Sequence, residues 1–121
     1  MKLLIPMDFT LVAANAFKFA YKMYPEAELY CLYCASPNSN EETSDRIKRG
    51  ETRTSLLEDE LENVIKGIIG ETQLPENISI EIQHGEIVST IQELSKKLDP
   101  DYILMGTRDR YGFFDKWLGT V

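Results

Sequence analysis

The stretch Met1-Lys2-Leu3-Leu4-Ile5-Pro6-Met7-Asp8-Phe9-Thr10 decides the fold. Lys2–Pro6 is apolar on both faces of an extended chain, the pattern of a strand buried in the middle of a parallel sheet. Thr10 has a side chain suited to capping a helix, and Ala13, Phe17, Ala20, Tyr21 and Tyr24 recur behind it at helical spacing. Pro25 stops that helix. A strand that feeds directly into a helix is the first half of a parallel crossover unit, so the rest of the chain is read for its repetition.

The repetition is there. Residues 29–34 read as a second strand, and Ser36-Pro37-Asn38-Ser39-Asn40 is a turn-rich break. The polar residues 41–54, with Gly50 among them, are the best candidate for a mobile segment. Ser55 and Glu58 have the spacing of a capping box. Leu57, Leu61, Val64, Ile65, Ile68 and Ile69 then form one face of a helix ending at Gly70. Residues 78–82 alternate apolar and polar, the mark of a half-exposed edge strand. Gly85 introduces a helix with Ile87, Val88, Ile91, Leu94 and Leu98 on one face, and Asp99-Pro100 ends it. Tyr102-Ile103-Leu104-Met105 is a fourth strand of the buried type, and a last helix is expected from Tyr111 or Gly112. Alternation of this kind predicts an α/β fold with parallel strands, right-handed crossovers and helices on both faces. Ligands of such sheets sit beyond the carboxyl ends of the strands, here Pro6-Met7-Asp8 and residues 105–110.

Composition narrows the function. A chain of 121 residues holds one domain, residues 1–121, and its 43% apolar and 27% charged residues are ordinary for a globular protein. A net charge of -7 argues against nucleic-acid binding, which draws its affinity from Lys and Arg. No apolar run approaches the ~20 residues of a membrane span, and no cleavage site follows the first strand, so the expected location is the cytoplasm. Cys31 and Cys34 form a C-x-x-C, but on a strand they point to opposite faces, whereas a redox pair opens a helix. Two reduced structural thiols are expected.

Two stretches carry a family likeness. Residues 4–10, Leu-Ile-Pro-Met-Asp-Phe-Thr, resemble the opening of universal stress proteins, a hydrophobic strand followed by Pro-Thr-Asp-Phe-Ser. Residues 101–121 resemble the signature segment of the same family, and His84-Gly85-Glu86 is similar to its third strand-to-helix turn. The resemblance implies a three-layer α/β/α fold with a parallel Rossmann-like sheet of the adenine nucleotide alpha hydrolase type. Its expected strand order is 3-2-1-4, with the fifth strand missing from this chain. That missing strand, which in the family often pairs across a dimer, leads us to expect C-terminal truncation, with a homodimer or a tandem-domain partner.

The ATP-binding members carry G-x2-G-x9-G-[ST]. Gly106 holds the first position and Gly119-Thr120 the last two, but Asp109 stands where the second glycine belongs. By resemblance, Asp8 with Pro6 and Met7 lies near the ribose, Cys34 near the adenine, and Met105, Gly106, Arg108, Asp109, Gly119 and Thr120 around the phosphates. Glycine lets backbone N–H groups approach an anion closely; aspartate restricts the backbone and adds a negative charge. Two like charges ~4 Å apart repel by about 4 kcal/mol at an effective dielectric near 20. Arg108 and Arg110 flank Asp109 and can offset part of this, or a metal can bridge.

Two readings in the family follow: a stress-response binding module with weakened or absent ATP binding, or an ATP/Mg-dependent switch. Local readings stand beside them. Asp8 can serve only its turn, residues 108–110 can be a solvated charge cluster, and Phe113 with Trp117 fits core packing. An α/β enzyme of the nucleotidyl-transferase or phosphatase type is disfavoured. There is no Gly-Lys-Ser/Thr loop, Thr10 stands where a phosphatase has its second aspartate, and no His/Cys metal cluster is present. His84, the only histidine, suits a surface or capping role, with no Ser or Cys partner evident for catalysis. No catalytic residue is assigned.

Overall fold

The computed structural model describes residues 1–35 and 53–106. In chain order the elements are β1 (Lys2–Pro6), α1 (Leu11–Met23), β2 (Glu28–Ala35), α2 (Arg53–Ile69), β3 (Ile78–His84), α3 (Ile87–Leu98) and β4 (Tyr102–Ile103). The strands form one parallel sheet in the order β3-β2-β1-β4, as expected, with β3 at an edge.

Side-chain alternation divides the sheet between two helical layers. Leu3, Leu29 and Ile78 stand in one row across the strands, and Ile5, Cys31 and Ile80 in the next. Both rows face α1 and α2, where Ala13, Phe17, Ala20, Leu61 and Ile65 close the larger core. Leu4 and Leu32, one residue out of phase, meet Leu94 of α3 on the opposite face, with Ile91 and Leu98 partly buried beside it. Burial of each such side chain contributes about 1.5–3 kcal/mol, which is why a period of two in the strands fixes which helix lies on which side.

The helix boundaries have local causes. Thr10 is extended (φ -100°, ψ 158°) and its hydroxyl accepts from the Ala13 N–H at 3.3 Å, capping α1. Gly70, at φ 72°, ends α2 while the N–H groups of Gly70 and Glu71 return to the Lys66 carbonyl. Asp99, at φ 51°, ends α3 ahead of Pro100.

Four expectations need correction. The helix α2 is already formed at Arg53, so Ser55 and Glu58 lie inside it and their spacing does not mark its start. The same boundary takes Arg53 and Thr54 out of the segment expected to be mobile; residues 36–52 lie outside the described residues, as do 107–121 with the expected last helix. Ile87 and Val88 do not join the buried face of α3 and are 45% and 57% exposed. The first turn of α3 stands beside the residues that follow β1 and β4, and among the described residues no strand lies under it. The fourth strand, finally, is two residues long and exposed. It pairs with β1 on one side, and among the described residues no strand covers the other.

The cysteines behave as strand geometry requires. Cys31 is buried in the α1/α2 core and Cys34 packs half-buried against the α3 side. Both thiols are free, and burial pushes each above its ordinary pKa. That is the reverse of an activated redox pair.

Candidate functional site

The site begins where β1 runs out. The Met7 N–H still donates to the Leu32 carbonyl, at 2.6 Å, which carries the ladder one residue past the strand. The chain then turns on Asp8, whose carboxylate accepts from the Thr10 N–H at 2.9 Å and from the Thr10 hydroxyl. This is an Asx turn, in which a short side chain supplies the acceptor that fixes the backbone two residues on. Asp8 is thereby held exposed at the positive end of the α1 dipole. Phe9, beside it, leans on Tyr33 of β2 with ring centroids 5.1 Å apart.

The exit of β4 comes to the same place. The Leu104 N–H donates to the Leu4 carbonyl at 2.9 Å, so Met105 and Gly106 emerge beside the β1 turn. Gly106 passes hard against the first turn of α1. A Cβ there would lie 2.9 Å from the Val12 carbonyl carbon and closer still to its oxygen. Only glycine fits this approach.

The third wall comes from α3. Gly85, at φ 145°, turns the chain out of β3. Glu86 caps the helix with both carboxylate oxygens: Oε1 accepts from the Val88 N–H at 2.9 Å, and Oε2 from the Ser89 N–H at 2.8 Å and the Ser89 hydroxyl at 2.7 Å. Those bonds, the Ser89 hydroxyl first, hold the Glu86 carboxyl below its usual pKa. The cap sets Ile87 over the strand ends.

Together these segments enclose a cavity of about 110 Å3 lined by Pro6, Met7, Asp8, Thr10, Val12, Ala13, Ile87, Met105 and Gly106. Its walls are mostly apolar, and Asp8 is the ionisable side chain among them. A second, apolar groove of about 350 Å3 continues along α1 past Val12, Asn15, Ala16 and Phe19 to Leu104, Met105 and Gly106. Five expected site residues, Pro6, Met7, Asp8, Met105 and Gly106, therefore meet at one place. Cys34 does not line this cavity; it stands on the α3 side, near Thr90 and Glu86. Arg108, Asp109, Gly119 and Thr120 lie outside the described residues. Sequence reasoning missed Ile87 as a wall of the site, although its position two residues after Gly85 was the available signal.

Among the described residues no group of three His, Cys, Asp or Glu side chains could hold a metal ion, and no helix is long and apolar enough to cross a membrane. His84 is exposed, its Nε2 2.8 Å from the Thr54 hydroxyl, where it ties the end of β3 to the start of α2.

Comparison with known proteins gives this geometry a family. The model of the universal stress protein family matches residues 1–121. The chain belongs to that family. Among solved structures, the universal stress protein UspA from Lactobacillus plantarum is similar at 18% identity and a TM-score of 0.64, covering 99% of this chain and 90% of that one. A universal stress protein in complex with cAMP is similar at 16% identity and a TM-score of 0.61, with 98% and 84% covered. A family member from Arabidopsis thaliana with AMP bound is similar at 15% identity and a TM-score of 0.60, with 92% and 79% covered. A search of curated protein sequences found no match. At these identities the structural likeness establishes the shared universal stress protein fold.

Proposed function

We propose that this chain is a regulatory binding module of the universal stress protein type that takes an adenine nucleotide at the carboxyl ends of β1 and β4, with weakened affinity for the triphosphate. The observation that carries the reading is the single cavity formed by Pro6, Met7, Asp8, Met105 and Gly106. These residues come from two strands far apart in sequence, at the place where a parallel sheet presents its ligands. The adenine nucleotides bound by two structurally similar family members support the ligand class. Asp109 supports the weakening, because it puts a charge and a restricted backbone into a phosphate-binding pattern that has glycine there.

Calorimetric titration tests it. The parent chain is expected to bind AMP more tightly than Mg-ATP, and Asp109→Gly to strengthen Mg-ATP binding about tenfold or more while moving AMP little. Tight Mg-ATP binding by the parent would replace this reading with an ATP-dependent switch, Arg108 and Arg110 offsetting the aspartate. The reading includes self-association. It is supported by β4, whose Tyr102 and Ile103 are exposed and whose outer edge no strand covers among the described residues, a surface that invites pairing. Sedimentation velocity is expected to show a dimer; a monomer across the whole concentration range would remove that part.

A further inference from the structure

Ile87 and Val88 are conspicuous because apolar side chains at the start of an amphipathic helix normally reach the core. Ile87 instead stands 45% exposed over the strand ends, on the same cavity as Met7, Asp8 and Met105. From this placement we infer that Ile87 is a specificity-determining residue, an apolar wall that seats an uncharged ring of the ligand and keeps phosphate out of the α3 side of the cavity. The inference rests on the nucleotide-binding reading above.

Two observations independent of Ile87 itself make the wall selective. A helix N-terminus ordinarily attracts an anion, through its unpaired N–H groups and its dipole. At α3 that role is filled internally: the Glu86 carboxylate takes the N–H groups of Val88 and Ser89 and the Ser89 hydroxyl, with both oxygens engaged. A phosphate brought to this end meets a resident negative charge on donors already in use. The second observation is in the same cavity, where the ionisable side chain is that of Asp8. That group accepts hydrogen bonds, as it does from Thr10, so a sugar hydroxyl suits it better than a phosphate oxygen, which has no proton to give. An uncharged ring gains on both counts. It removes apolar surface of Ile87, Met7 and Met105 from water and offers hydroxyls to Asp8.

The test is calorimetric titration of adenosine and AMP into the parent chain and the variants Ile87→Ala, Ile87→Val, Glu86→Gln and Asp8→Asn, with a thermal melt of each. Ile87→Ala is expected to weaken adenosine about five- to tenfold while the melt falls by no more than a few degrees, since the side chain is only partly buried. Ile87→Val should recover most of that loss. Glu86→Gln keeps an acceptor at the cap but removes the charge, and is expected to improve AMP relative to adenosine by about threefold or more. If Ile87→Ala binds adenosine like the parent while Asp8→Asn weakens it, the nucleotide site stands and the role of Ile87 is overturned. A parent chain that binds neither adenosine nor AMP overturns the role of Ile87 together with the reading beneath it.

Discussion

Phe17→Ala is expected to lower the unfolding free energy by about 3–5 kcal/mol, the cost of emptying a fully buried aromatic site. Phe17 is 0% exposed and lies on the α1 face that meets Leu3, Leu29, Leu61 and Ile65 across the larger core. Its ring also stacks on Tyr21, with centroids 6.2 Å apart and planes 19° from parallel. A domain of this size loses several degrees of melting temperature per kcal/mol, so the variant should melt at least ~10 °C lower. Phe19, two residues on, is the internal control. It has the same chemistry on the same helix but is 52% exposed, so Phe19→Ala should cost about 0.5 kcal/mol or less. Urea denaturation of both variants reads the contrast. Equal losses would mean that the face of α1 assigned to the core is the wrong one.

The same contrast shows how much of the fold was legible beforehand. Lys2–Pro6 could be read as a central strand because no polar residue interrupts it after Lys2, and a strand buried on both faces leaves that trace. The period of Ala13, Phe17 and Ala20 named the core face of α1, and Thr10, Gly70 and Asp99 named three helix ends by their backbone chemistry. Cys31 and Cys34 were separable by parity alone. Two of the failures had a common cause: periodicity reports which side chains share a face and is silent on how far the neighbouring layer extends. Ile87 and Val88 keep the helical period of Ile91 and Leu94, yet both stand exposed at the start of the helix. Tyr102 to Met105 have the composition of a buried strand, yet only two of them pair. Ser55 and Glu58 have capping spacing inside a helix that had already begun. The candidate site divides in the same way. Pro6, Met7, Asp8, Met105 and Gly106 were legible because the carboxyl ends of adjacent parallel strands must converge. Ile87 was not, because its part in the cavity depends on where one turn of a crossover helix overhangs the sheet.

Gly106→Ala should have the second largest effect, and one of a different kind. The added methyl would meet the Val12 backbone, and a backbone in the first turn of a capped helix cannot swing aside as the tip of a side chain can. Either the β4 exit moves away from α1 or α1 moves from the sheet, at a cost of about 1–3 kcal/mol by analogy with overpacked cores. Both responses open the cavity between Met7, Asp8 and Met105, so nucleotide affinity should fall by more than the stability change alone explains. Gly67→Ala separates this effect from the general consequences of replacing a glycine. A Cβ at Gly67 meets nothing within 4 Å, and the residue sits inside α2, where alanine is the better helix former by up to about 1 kcal/mol. The two substitutions are thus chemically identical but should change stability in opposite directions, with only the first touching ligand binding. Urea melts and calorimetry on the pair measure both. If Gly106→Ala were as stable as the parent and bound nucleotide equally well, the close approach of the β4 exit to α1 could not be what shapes the site.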